Sequence, residues 1–95
     1  MTTATDRKWF LAVASLETCA LCGSQGEQVA HRDYGKGMGL KTKSHMTAYL
    51  CGQCHRELTD GKEYDRAQKR AFMDRAIVET HSRLIDAGQL VLKVK

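Results

Sequence analysis

The sequence predicts a small α+β domain stapled by a metal ion, and three observations carry that reading. Four cysteines fall in two Cys-x-x-Cys pairs, Cys19/Cys22 and Cys51/Cys54. Short strand-like runs lie between the pairs and helical periodicity lies outside them. The chain has 95 residues, enough for one domain (1–95) with a core too small to dispense with a cross-link. A two-residue spacer lets both sulfurs of a pair face one ion. Two such turns therefore close a tetrahedral zinc site with Zn–S bonds of about 2.3 Å, and metal binding then becomes part of the folding free energy.

Residues 1–6 read as a flexible tail. Asp6 is placed to N-cap a helix whose apolar face is Trp9, Phe10, Val13 and Leu16. Cys19-Ala-Leu-Cys22-Gly23 reads as a knuckle turn in which Gly23 takes a positive φ. Gln28–His31 reads as a strand, glycines 35, 37 and 39 interrupt regular structure, and residues 45–50 return as a second strand. A short helix opens at Gly52, carries Cys54, His55 and Leu58, and ends at Thr59-Asp60-Gly61. The longest element runs from about Asp65 to Ala87. Asp65 and Gln68 form a capping box, Gly88 supplies the stop, and Phe72, Met73, Ala76, Ile77, Thr80 and Leu84 make the core stripe. Leu90, Leu92 and Val94 alternate with Val91, Lys93 and Lys95 as a short terminal strand.

Knuckle, hairpin, and a helix whose first turn brings the last two ligands make a treble clef, flanked by an N-terminal helix and a long C-terminal one. The N-terminus lacks the charged-then-apolar pattern of a secretory signal, and no apolar run approaches the roughly 20 residues of a membrane span. A reducing, cytoplasmic setting is therefore expected, which disfavours two disulfides. Cys51-Gly-Gln-Cys54-His55 also matches a c-type haem attachment site, but that use leaves Cys19 and Cys22 unexplained. Fifteen Lys and Arg against eleven Asp and Glu give a net charge of +4, which favours a polyanionic partner without proving one.

His55 follows the final cysteine on its helix and His31 ends the first strand. If both reach the hairpin groove they supply a metal ligand and a general base on one surface; taken singly, each is an ordinary surface or helix histidine. Asp60 is a further oxygen ligand for a hard divalent ion, or merely the residue ending the helix. Arg32, Lys36, Lys41 and Lys43, interleaved with glycines, make a basic loop suited to a phosphate backbone, or a plain surface connector.

The order Cys19-x-x-Cys22-Gly23, Ala30-His31-Arg32, Gly35-Lys-Gly-Met-Gly39, Leu50-Cys51-x-x-Cys54-His55 resembles the HNH (ββα-metal) endonuclease superfamily. Within it the chain is most similar to the small prophage-encoded nucleases of the YbcO type, and more distantly to the phage recombination-enhancement nuclease Ref. The resemblance covers about residues 9–95 and implies a DNA endonuclease or nickase using magnesium or manganese. His31 would be its general base, His55 a ligand of the catalytic metal, and the four cysteines a structural zinc cage. Two departures stand out. A metal-binding residue commonly precedes the first histidine, where this chain has Ala30, and the chain contains no Asn. Asp33, His45, Glu57 and Asp60 are the available substitutes. A different class of function is also open, a zinc-dependent nucleic-acid or protein-binding module that keeps the clef without cleavage.

Overall fold

A computed structural model describes residues 4–32 and 45–90. The elements are α1 (Ala4–Ala14), β1 (Gln28–His31), β2 (Thr47–Leu50), α2 (Gly52–Thr59) and α3 (Arg66–Asp86). The class is α+β: one two-stranded antiparallel sheet with helices packed around it. None of the described helices is long and apolar enough to cross a membrane.

The hairpin positions everything else. Its register pairs Gln28 with Leu50, Val29 with Tyr49, Ala30 with Ala48 and His31 with Thr47. Because successive side chains alternate across a strand, the pleat sorts these residues into two faces. Ala30, Ala48 and Leu50 join Cys19, Cys51, Met73, Ala76 and Ile77 in one buried cluster. Tyr49 joins Val13 and Leu84 in the other, with Trp9, Leu16 and Val29 packed against it. One face thus meets the cysteines and α2, and the other meets α1. The long helix α3 contributes to both clusters, which is why five of its residues are buried along one stripe.

Polar groups on the outer edge of β2 are answered in full at Tyr49. Its N–H donates to Thr80 Oγ1 at 3.3 Å and its carbonyl accepts from Ala20 N at 2.9 Å. Thr80 in turn donates to Ala76 O at 2.8 Å, so a threonine inside the core is satisfied twice. On the other face Trp9 Nε1 donates to the buried Thr47 Oγ1 at 2.8 Å, fixing α1 against β2.

Several details depart from the sequence expectation. Asp6 is not a cap: α1 already begins at Ala4, so Asp6 lies in its first turn and residues 4–6 are helical rather than a tail. Phe72 is half-buried, while the other five stripe residues are fully buried. Arg83, not among the residues of the expected core stripe, is half-buried and clamps the knuckle entry, donating to Thr18 O at 3.1 Å and Thr18 Oγ1 at 3.0 Å. Leu90 sits in a bend, and the remainder of the expected terminal strand, residues 91–95, lies outside the described residues. The capping box of α3 is present as expected, with Gln68 N donating to Asp65 Oδ1 at 2.8 Å and Asp65 N donating to Gln68 Oε1 at 3.0 Å. Gly88 closes the helix at φ 74°.

Candidate metal centre and its surroundings

The four cysteines come from two local structures. In the first, Cys19 N donates to Ser24 O at 2.7 Å and Gly23 N to Cys19 O at 3.0 Å, a tight turn that needs Gly23 at φ 77°. In the second, Cys51 is the N-cap of α2, and Cys54 lies within its first turn. Ala20 N bonded to Tyr49 O ties the first turn to the strand that leads into the second. The result is four sulfurs within 4.8 Å of one another. Cys22 Sγ and Cys51 Sγ are 3.7 Å apart, close to the edge of about 3.8 Å that a tetrahedron of 2.3 Å Zn–S bonds requires.

The surrounding donors suit thiolates. Leu21 N donates to Cys19 Sγ at 3.4 Å and Cys54 N donates to Cys51 Sγ at 3.4 Å. The Ser24 hydroxyl lies 2.9 Å from Cys22 Sγ, and with the Ser24 backbone it lowers the Cys22 thiol to about 6. The N–H of Cys54 lowers Cys51 as well. Cys54 moves the opposite way, pushed up by burial and then by the sulfurs of its neighbours. Four negative sulfurs this close repel one another, so full ionisation calls for a cation among them. The donor set fits a metal ion, and a soft one in particular.

His55 lies in α2 one residue beyond Cys54, and its Nδ1 is hydrogen-bonded to Gln28 Oε1 on β1. His31, at the end of β1, is exposed and packs edge-on to Phe10 of α1, with ring centroids 5.5 Å apart. Gln28 and Ala30 occupy one face of the strand, whereas Val29 and His31 occupy the other. Gln28, which holds His55, and His31 therefore leave β1 from opposite faces. Asp60 is the exposed C-cap of α2. Five helical steps carry it about 7.5 Å along the axis from His55 and well around the helix. Glu57 is held by Gln53 Nε2 at 3.4 Å, and the carbonyl of His45 is held by His81 Nε2 at 2.7 Å. Arg32 pairs with Asp74 of α3 at 3.6 Å. Asp33, Lys36, Lys41 and Lys43 lie outside the described residues.

Gln28 escaped the sequence reading, because a polar residue opening a strand carries no distinctive signal. Only the register of the hairpin against α2 gives it a histidine to hold. No protein-family model matches the chain, and no curated protein or solved structure shows significant similarity to it.

Proposed function

We propose that the protein is a zinc-stapled treble-clef endonuclease or nickase that hydrolyses phosphodiester bonds in DNA, working in a reducing cytoplasm and encoded by a phage or prophage. The observation that carries the reading is the placement of His55. It sits directly after the fourth cysteine, in the first turn of a helix that the cysteine cluster anchors, and is bonded to the hairpin through Gln28. A ring held through Nδ1 keeps Nε2 for a metal, the usual arrangement of a ligating histidine. This agrees with the Cys-x-x-Cys-His order by which the chain resembles the HNH superfamily.

In this reading the four cysteines hold zinc for structure alone. His55 holds the catalytic magnesium or manganese, while Asp60 stays at the C-cap of α2. The ion would stabilise charge developing on the phosphate oxygens. His31, exposed at the strand end, takes the proton from the attacking water. Arg32 and the lysines at 36, 41 and 43 neutralise backbone phosphates.

A second reading rests on its own observation: His31 packs against Phe10 on the face of the hairpin away from His55. Together with Ala30 at the neighbouring position, that separation favours a zinc-dependent nucleic-acid or protein-binding module without cleavage. A plasmid-nicking assay of the zinc-loaded protein, with and without added magnesium or manganese, decides between them. Metal-dependent conversion of supercoiled to open-circular plasmid supports the nuclease. Binding without conversion under every metal condition leaves the module.

A further inference from the structure

Beside the cysteine cluster, residues of the knuckle, α2 and α3 line a cleft of about 130 Å³. Its walls are Leu21, Leu58, Tyr64 and Phe72, with Glu57 and Arg75 as the charged members. Cys22 and Cys54 border it, so the metal centre fixes one side. The volume is well under the roughly 300–1,000 Å³ of pockets that enclose a whole ligand, so the cleft accepts one ring of something larger. Two aromatic rings already stand at its edge. Tyr64 and Phe72 have centroids 4.8 Å apart, and the Arg75 guanidinium lies 5.5 Å from the Phe72 centroid.

The charge beside the cleft indicates what that larger molecule is. Over residues 66–75, α3 carries Arg66, Lys69, Arg70 and Arg75 against the single acid Asp74. Lys69, Phe72 and Arg75 follow one another at three-residue steps, so cation, ring and cation run along one side of the helix. An aromatic platform interleaved with cations is how single-stranded nucleic acids are held, with bases stacking while the backbone meets Lys and Arg. Glu57 on the wall repels phosphate and accepts N–H donors, which orients a nucleotide with its base inward. A paired base inside a duplex cannot enter such a recess.

We propose that this cleft takes one unpaired nucleobase of a single-stranded nucleic acid against Tyr64 and Phe72, with the adjoining phosphate at Arg75 and Lys69. The inference deepens the reading of the protein as one that acts on nucleic acid, but it does not require cleavage.

The test titrates zinc-loaded, isotope-labelled protein, without added magnesium or manganese, with an eight-nucleotide adenine oligodeoxynucleotide and with a duplex of the same length. Amide and side-chain shifts of Tyr64, Phe72 and Arg75 should move with the single strand and not with the duplex. Phe72→Ala should weaken single-strand binding roughly five- to hundredfold. Arg75→Gln, at an exposed position, should lower affinity and flatten its salt dependence while zinc content stays the same. Should Phe72→Ala fail to fold, Tyr64→Ala removes the other ring. Shifts confined to the hairpin, equal response to duplex, or a cleft filled by a tyrosine-bearing acidic peptide and not by the oligonucleotide would each overturn the proposal. Plasmid nicking is a separate measurement: its absence ends the nuclease reading and leaves this one standing, and its presence does not rescue a silent cleft.

Discussion

Gly26 lies beneath the ring of Tyr49. The Tyr49 hydroxyl donates to Gly26 O at 3.2 Å, and a Cβ on Gly26 would come within 2.6 Å of Tyr49 Cδ2. Tyr49 is buried and is also the residue whose backbone meets both the knuckle and α3. Moving its ring therefore disturbs three elements together. Gly26→Ala should destabilise the domain by about 1–3 kcal/mol through overpacking, read as a lower thermal midpoint of the zinc-loaded protein. A midpoint equal to that of the unmodified protein would show that the ring yields freely.

The packing of Tyr49 on Gly26 marks the boundary of what sequence reveals. Cysteine spacing and helix punctuation are local signals, so the knuckle glycine, the extent of β1, α2 from Gly52, and the capping box of α3 can be read from the letters. Gly26, Thr47 and Arg83 owe their roles to partners about 20 to 65 residues away, which no local pattern encodes. Glu17 shows the same limit in the backbone: it adopts φ 69°, where glycine or asparagine would be the expected signal. The position of His31 relative to His55 has a related cause. Each lies on a correctly anticipated element, but which face of β1 looks toward α2 is decided by the pleat and by packing on α1.

The cysteine centre yields a prediction in two parts. Purified protein should carry one zinc per chain, and Cys22→Ser or Cys54→Ser should lose both metal and fold. Structural zinc in small domains contributes about 10–16 kcal/mol, more than a chain of this size holds in reserve. Acidification should act in the same direction. Cys22 sits near 6, below the ordinary thiol value of 9.0, so its thiolate stabilises the fold at alkaline pH and that contribution fades as pH falls. Because ligating thiols must give up their protons, zinc affinity should fall as pH falls, and release should follow acidification. A chromogenic chelator titration follows the release; a folded protein free of zinc at neutral pH would refute the assignment.

The basic segment is testable by salt alone. If Lys36, Lys41 and Lys43 each meet a phosphate, replacing all three with Gln should flatten the plot of log affinity against log salt by about 0.9 for each phosphate that is no longer neutralised. Circular dichroism should be unaffected. An unchanged slope would return the segment to the role of connector.

The two histidines give the last and sharpest comparison, because the proposed mechanism gives them different work. His31→Ala should retain zinc and DNA affinity while nicking falls by about 10²- to 10⁴-fold, since a general base acts on the proton and does not hold the substrate. His55→Ala should also retain the four-cysteine zinc, but it removes the group bonded to Gln28. Its activity should fall together with the response to added magnesium or manganese. Gln28→Ala then separates a ligand from a bystander. If Gln28 orients the imidazole of His55, its loss should raise the metal concentration needed for half-maximal nicking by about 10- to 100-fold, with His55 still in place. A His31→Ala protein that nicks like the unmodified one would mean that its packing on Phe10 is its whole role, and that the proton goes to another group.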